Sequence, residues 1–445
     1  MRGGCTSRPT LNCSSRQDEH LIEQEPRCFA AEDRDPSLRS TDLLMGTQEG
    51  VLGAICEIAA AECASHFGRK MISLVLTGSL ARQEATLARS AEGWKLLGDA
   101  EFLVVIRRNC RLPSPDVVEA LKERIVSRLL SQRIQATLDF AAVYEKYFRR
   151  LPHHIFTYEL RAFAKIVWGE PGVLAMIPEF TPDRIQREDA WRMLCNRMIE
   201  HLQFVVDLLN GTTQLSPRLH YATIKLFLDM GTSYLVFANA YEPTYRGRAE
   251  RLELLAKQEL QNRAAPFRLK EFAILVANCT TWKLAGGEMP PDLRPEFWRE
   301  SIRYASSLWN WEVIQMTKSS SDPSPDALYN ELALTLTSLQ KVRGWAHVVT
   351  QSGGLKSWRE WVRWFSIGLR TTPRYSIYRV AAELFRNLPQ LIGGDEGGGS
   401  GAMWQKLGLL LPTQSSGSGK GLEDWRILLN DVVVNYQSFV AGTRA

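Results

Sequence analysis

Three short apolar runs, each meeting a polar cluster at a fixed place, constrain this chain more than any other feature. Ile72-Ser73-Leu74-Val75-Leu76-Thr77 ends in Gly78-Ser79. Phe102-Leu103-Val104-Val105-Ile106 is opened by Asp99 and Glu101. Ala136-Thr137-Leu138-Asp139-Phe140-Ala141-Ala142-Val143 carries Asp139 in its middle. Runs this short and this apolar read as buried strands. The pattern predicts strands near 71–77, 101–107 and 136–143. A helix near 114–132 lies between the last two, started at Pro113-Ser114-Pro115.

The polar clusters have their own chemistry. Side chains alternate along a strand, so Asp99 and Glu101 point the same way. Two carboxylates on one face repel and lose hydration unless a cation lies between them. Asp139, flanked by apolar residues, also needs a partner. Magnesium prefers carboxylate and phosphate oxygens. Two such ions, roughly 3.5–4 Å apart, clamp the attacking and leaving oxygens of a phosphoryl displacement. Gly78 permits close backbone approach to a phosphate, and Ser79 adds a hydroxyl. The next residues, Leu80 to Ala85, can start a helix whose free amides favour an anion. Arg82, one turn on, is placed either to meet a phosphate or to sit exposed.

These residues resemble the polymerase-beta-like nucleotidyltransferase superfamily. Its pattern is a hydrophobic strand, Gly-Ser, a spacer, Asp-x-Asp/Glu and a third acid on a later strand. Here the pieces are Leu76-Thr77-Gly78-Ser79, Gly98-Asp99-Ala100-Glu101-Phe102 and Leu138-Asp139-Phe140. The stretch from Ile155 to Gly169 is similar to the segment that closes the catalytic domain in bacterial members. The spacer between Ser79 and Asp99 is longer than is common, and Arg89 to Lys95 reads as a surface hairpin or loop. Gln83 stands where many members carry a second glycine.

The resemblance implies transfer of a nucleoside monophosphate from a triphosphate, ATP first among them, to an acceptor hydroxyl. Asp99, Glu101 and Asp139 would be the Mg2+ ligands, with Asp139 also a general base. Gly78, Ser79, Arg82 and Lys225 would bind the nucleotide. By analogy with antibiotic adenylyltransferases the acceptor would be a small molecule. The alternatives are a protein-modifying or antitoxin-type transferase and a non-catalytic nucleotide-binding scaffold.

Beyond about residue 187 the apolar spacing is helical throughout. The fold class expected is α+β, a small mixed-sheet nucleotidyltransferase domain (43–185) followed by a large all-helical region. That region divides into 186–320 and 327–445, with Asp322-Pro323-Ser324-Pro325 as a linker and Gly/Ser-rich stretches at 393–401 and 415–419. Residues 1–42 are polar and read as a disordered tail. Lys225 and Asp229, at i, i+4, are either an ordinary surface ion pair or a lysine aimed at the triphosphate. Tyr245 and Arg246 are candidates to touch a base or the acceptor. His153-His154 reads as a structural pair before a helix. Trp298, Trp309 and Trp311, and the series Trp358, Trp361, Trp364, read as core aromatics or groove linings.

Composition bounds the rest. The chain has 445 residues, 54 Lys or Arg and 49 Asp or Glu, a net charge of only +5, so a nucleic-acid partner is not expected. Eight cysteines include no Cys-x-x-Cys pair, which argues against a zinc cluster, and the N-terminus lacks the apolar core of a signal peptide, so a reduced, cytoplasmic setting is expected. No run approaches the roughly 18–20 apolar residues of a membrane span, and no membrane partner is expected.

Overall fold

The computed structural model describes residues 47–209, 216–258, 265–285, 295–317, 325–351, 358–392, 401–415 and 422–441. The expected tail at 1–42 lies outside them, as do nearly all of the three expected linker stretches.

The architecture is α+β, with a sheet-containing N-terminal part followed by helices alone among the described residues. One five-stranded mixed sheet is formed by β1 (Met71–Thr77), β2 (Leu87–Ser90), β3 (Gly93–Ile106), β4 (Ile134–Tyr144) and β5 (Lys165–Gly169). β3 is the spine: it pairs antiparallel with β1 and β2 and parallel with β4. β5 adds antiparallel to the other side of β1. Every residue of β1 is buried, as its unbroken apolar run requires of a strand covered on both faces.

One face of the sheet packs on α1 (Gln48–Phe67) and α3 (Pro115–Ser131), through Val51, Ile55 and Phe67 from the first and Leu121, Ile125 and Leu129 from the second. Ser114 occupies the N-cap of α3 and Pro115 its first turn, as expected. The other face is covered by Phe148, Leu151, Val173 and Ile177, and by Leu160 of α4 (Ile155–Phe163).

The surface hairpin expected around residues 89–95 is the turn between β2 and β3. The helix expected after Ser79 is a single turn, α2 (Gly78–Ala81). It stops because the backbone turns left-handed at Gln83, with φ at 59°. By length and composition the stretch Gln48–Lys70 is apolar enough to cross a membrane, which the sequence reading did not expect. Here its apolar stripe is packed against the sheet.

The helical part comprises α5 (Arg187–Leu209), α6 (Pro217–Phe237), α7 (Tyr245–Gln258), α8 (Leu269–Ala285), α9 (Pro295–Thr317), α10 (Pro325–Leu334), α11 (Ser338–Gln351), α12 (Trp358–Gly368), α13 (Pro373–Ile392), α14 (Gly401–Gly408) and α15 (Leu422–Tyr436). One continuous apolar core joins them, from Ile155 to Val440, with no break at residue 320. Trp191, Trp298, Trp309 and Trp404 fill it. Trp364 is buried, donating its indole N–H to the Pro412 carbonyl at 2.7 Å, but Trp361 is 52% exposed. The two do not share one buried face, because the third position of that series turns inward and the second outward. The side chain of Trp358 lies outside the described residues.

Candidate active site

The three acids share one face of the sheet. Along β3 the residues Ala100, Phe102 and Val104 face the helical layer, so Asp99 and Glu101 fall on the opposite face with Leu103 and Val105. On β4, Leu138 and Phe140 face the helices, which puts Asp139 on the side of Ala141 and Val143. The parallel register sets Glu101 against Asp139 and Asp99 against Thr137. Asp99 is exposed; Glu101 and Asp139 are half-buried.

Gly78 explains how Glu101 fits. Its φ of 68° is left-handed, and a β-carbon there would meet the Glu101 carboxylate carbon at 2.9 Å. The glycine therefore does two things: it lets β1 turn sharply into α2, and it leaves the space that the carboxylate fills. Thr77 holds the carboxylate from the same strand end, its hydroxyl 3.4 Å from Glu101 Oε2.

These groups open into a cleft of about 330 Å³ between the sheet and the helices. Gly78, Ser79, Arg82, Asp99, Glu101 and Lys225 all line it. Asp139 is not among its lining residues; it adjoins the cleft through Glu101. The far wall is basic, formed by Arg197 on α5, Lys225 on α6 and Lys283 on α8. The sheet face bearing Asp99 and Glu101 thus looks onto helices that bring three cations to the cleft, alongside the acids Glu159 and Asp189.

Each cation is held differently. Arg197 Nε donates to Asp229 Oδ2 at 2.6 Å. Burial opposes its charge, but Asp229 and Glu200 outweigh it and hold the guanidinium above its ordinary range. Asp229 therefore pairs with Arg197, not with Lys225, and the surface ion pair between neighbouring helical turns is not formed. Lys225 instead lies over the Tyr221 ring at 5.1 Å. Burial first, then Arg197, lowers its pKa. Lys283 donates to Thr86 Oγ1 at 2.6 Å and to the Tyr221 hydroxyl at 3.3 Å. Burial, reinforced by Lys225 and Arg82, pulls its pKa down to about 8.

Arg82 is not the exposed arginine that its position allowed. Its guanidinium donates to Glu159 Oε2 at 2.5 Å and to Glu84 Oε2 at 3.2 Å. Glu159, on α4, also accepts from the Tyr241 hydroxyl at 2.6 Å and from Arg248. Glu84 accepts from the Tyr245 backbone N–H at 2.8 Å, at the start of α7. The Gly-Ser turn is thus tied to the helical part by charge-assisted bonds. Tyr245 lines the cleft, whereas Arg246 is exposed and outside it.

His153 and His154 are structural. His153 stacks on Phe180 with ring centroids 4.3 Å apart, and His154 occupies the N-cap position of α4 with its ring 3.3 Å from Gln186 Oε1. Among the described residues no three His, Cys, Asp or Glu side chains converge closely enough to hold a metal unaided. A pair of strand carboxylates still fits magnesium, which rarely takes an all-protein cage and fills its coordination with water and phosphate.

Arg197, Lys283 and Thr77 belong to the cleft and were not singled out from the sequence. Lys283 left a trace: it continues the buried stripe Phe272, Val276, Cys279 of α8, where a lysine needs a reason. Compared with protein-family models, curated proteins and solved structures, the chain matches none of them.

Proposed function

We propose that the protein is a magnesium-dependent nucleotidyltransferase that moves a nucleoside monophosphate from a triphosphate to an acceptor hydroxyl. The observation that carries this reading is the sheet face itself. Asp99, Glu101 and Asp139 share one face, in adjacent register, beside a left-handed Gly78, and the first two open onto a cleft whose opposite wall is cationic.

In this reading Lys225 and Lys283 draw the triphosphate tail against the Gly78-Ser79 turn. Asp99 and Glu101 would hold magnesium brought in with the nucleotide, which neutralises phosphate charge when bound. Asp139 lies outside the cleft lining, so it would reach the acceptor hydroxyl only where the acceptor sits over the Glu101–Asp139 register pair; there it takes up the proton as the hydroxyl oxygen bonds to the α-phosphorus. The bond from that phosphorus to the bridging oxygen breaks, and pyrophosphate leaves. Arg82 contributes through position: with Glu84 and Glu159 already on its guanidinium, it fastens the turn to the helices. A cleft of about 330 Å³ is the size of a small-molecule site, as a bound nucleotide requires.

The test is labelled-nucleotide transfer and pyrophosphate release from each of the four triphosphates, with magnesium, in an extract of the source cell. Transfer by the natural protein and none by Asp99→Ala is the expected result. Equal label in both would remove Asp99 from the chemistry and with it the assignment.

A further inference from the structure

The mild net charge of the chain hides an uneven distribution. Residues 338–379 hold eight Lys or Arg and one acid, Glu360, a local charge of +7. The remaining residues hold 46 basic and 48 acidic side chains and are slightly negative. The whole basic excess lies in this one stretch of sequence.

The same stretch exposes apolar side chains. On α12 and just past it, Trp361, Val362, Phe365 and Leu369 are 52–69% exposed. Their spacing of i, i+1, i+4 and i+8 puts them on one helix face. On α11, Leu339 and Val342 are 56% and 65% exposed, one turn apart. Lys341 Nζ donates to the Leu369 carbonyl at 3.4 Å, which sets the two strips side by side. The inward side of α12 is anchored, with Trp364 on Pro412 and Arg363 on the Leu411 and Pro412 carbonyls. Arg343 and Arg370 are exposed beside the apolar strip.

We propose that the α11–α12 face docks on an anionic lipid surface, with its apolar side chains in the headgroup boundary and its cations among the phosphates. Aromatic and aliphatic groups on one side of a helix, bordered by Arg and Lys, are what such an interface holds. Local cations add attraction to anionic lipid, roughly one factor of five for each. The patch chemistry separates the other occupants. A nucleic acid would use the cations and the rings but has no use for Val362 and Leu369. A symmetric second copy would set like charges, Arg343 and Arg370 among them, against each other. Lying in the interface needs no spanning length, so a search for long apolar runs does not find it.

The experiment is flotation of the full-length protein with vesicles of phosphatidylcholine alone and of phosphatidylcholine mixed with phosphatidylglycerol. The protein should float only with the anionic vesicles and lose binding as salt rises. Arg343→Gln with Arg370→Gln should weaken it roughly 10- to 30-fold. Trp361→Ser with Phe365→Ser should abolish it while the melting temperature stays unchanged, since both side chains are exposed. Flotation with neither vesicle, or undiminished binding by the Trp361/Phe365 variant, overturns the proposal. So does a dimer that this variant dissolves without any vesicle binding, which would assign the face to a second copy.

Discussion

The carboxylate carbon of Glu101 lies 2.9 Å from the position a β-carbon on Gly78 would take. Gly78 follows the last residue of β1, and that residue, Thr77, is paired with Glu101 within β3, so any side chain at 78 must displace the carboxylate. Gly78→Ala adds the cost of a left-handed non-glycine residue, about 1–2 kcal/mol. We expect it to melt lower and to lose transfer activity by roughly two orders of magnitude, in line with what small displacements of reacting groups cost. Gly53→Ala is the control: it lies on α1, outside the cleft lining, and nothing lies within 4 Å of its would-be β-carbon. It should be near wild type in both assays.

Lys283 makes nucleotide binding sensitive to pH. With its pKa pulled down to about 8, the ammonium becomes an amine as the pH rises through that value. Triphosphate affinity, measured by calorimetry, should fall several-fold between pH 7 and pH 9. Lys283→Arg, which stays charged, should flatten the profile. In the free protein the sign is opposite. The unfolded chain holds this proton more tightly than the folded one, so the destabilising contribution is relieved as pH climbs from about 8 towards 10.5. A rise in stability with a fall in affinity over one pH range would be the joint signature.

How much of this site could be read in advance depends on how local its causes are. The strand Met71–Thr77 announces itself because burial on both faces demands continuous apolar residues, whereas Ile134–Tyr144 is only partly buried and shows through the apolar residues on either side of Asp139. The acids stand out because they interrupt those runs. β2, Leu87–Ser90, has only one buried residue and reads as loop. The basic wall is a product of packing: Arg197, Lys225 and Lys283 come from three helices separated by dozens of residues, and no short pattern links them. The partner of Asp229 was misplaced for the same reason, since a helix offers Lys225 at i−4 while the fold offers Arg197. Trp361 and Trp364 show the limit of spacing arguments, because three residues on a helix span enough arc to separate a buried indole from an exposed one.

Arg248 is the hub of the junction between sheet and helices. It is 4% exposed and donates to the Glu242 carbonyl at 2.8 Å, Thr232 Oγ1 at 2.9 Å, the Pro243 carbonyl at 3.0 Å and the Glu159 carboxylate. Removing one member of a buried pair leaves the other charge unmatched, at about 3–5 kcal/mol. Arg248→Ala should lower urea stability by that order. Glu159→Gln should also destabilise, and the double variant should cost less than the two single losses together, since both break one network. Additive losses would mean that the two residues act separately.

Glu312 is fully buried in the helical core, with Ser233 donating to its Oε1 at 2.5 Å. Its other carboxylate oxygen has no hydrogen-bond partner among the described residues. Burial raises the carboxyl from its ordinary 4.5 to about 8, and the Ser233 hydroxyl offsets this only in part. The folded protein therefore holds this proton more tightly than the unfolded chain. The stability that follows is fully present below pH 4.5 and is lost as the pH rises through about 8. Glu312→Gln keeps the shape and removes the titration. The difference in unfolding free energy between variant and natural protein should move in favour of the variant as pH rises, by at most about 1.4 kcal/mol per pH unit, and level off beyond pH 8. Urea unfolding at a series of pH values measures it, and a difference independent of pH would mean that Glu312 is already ionised inside the core.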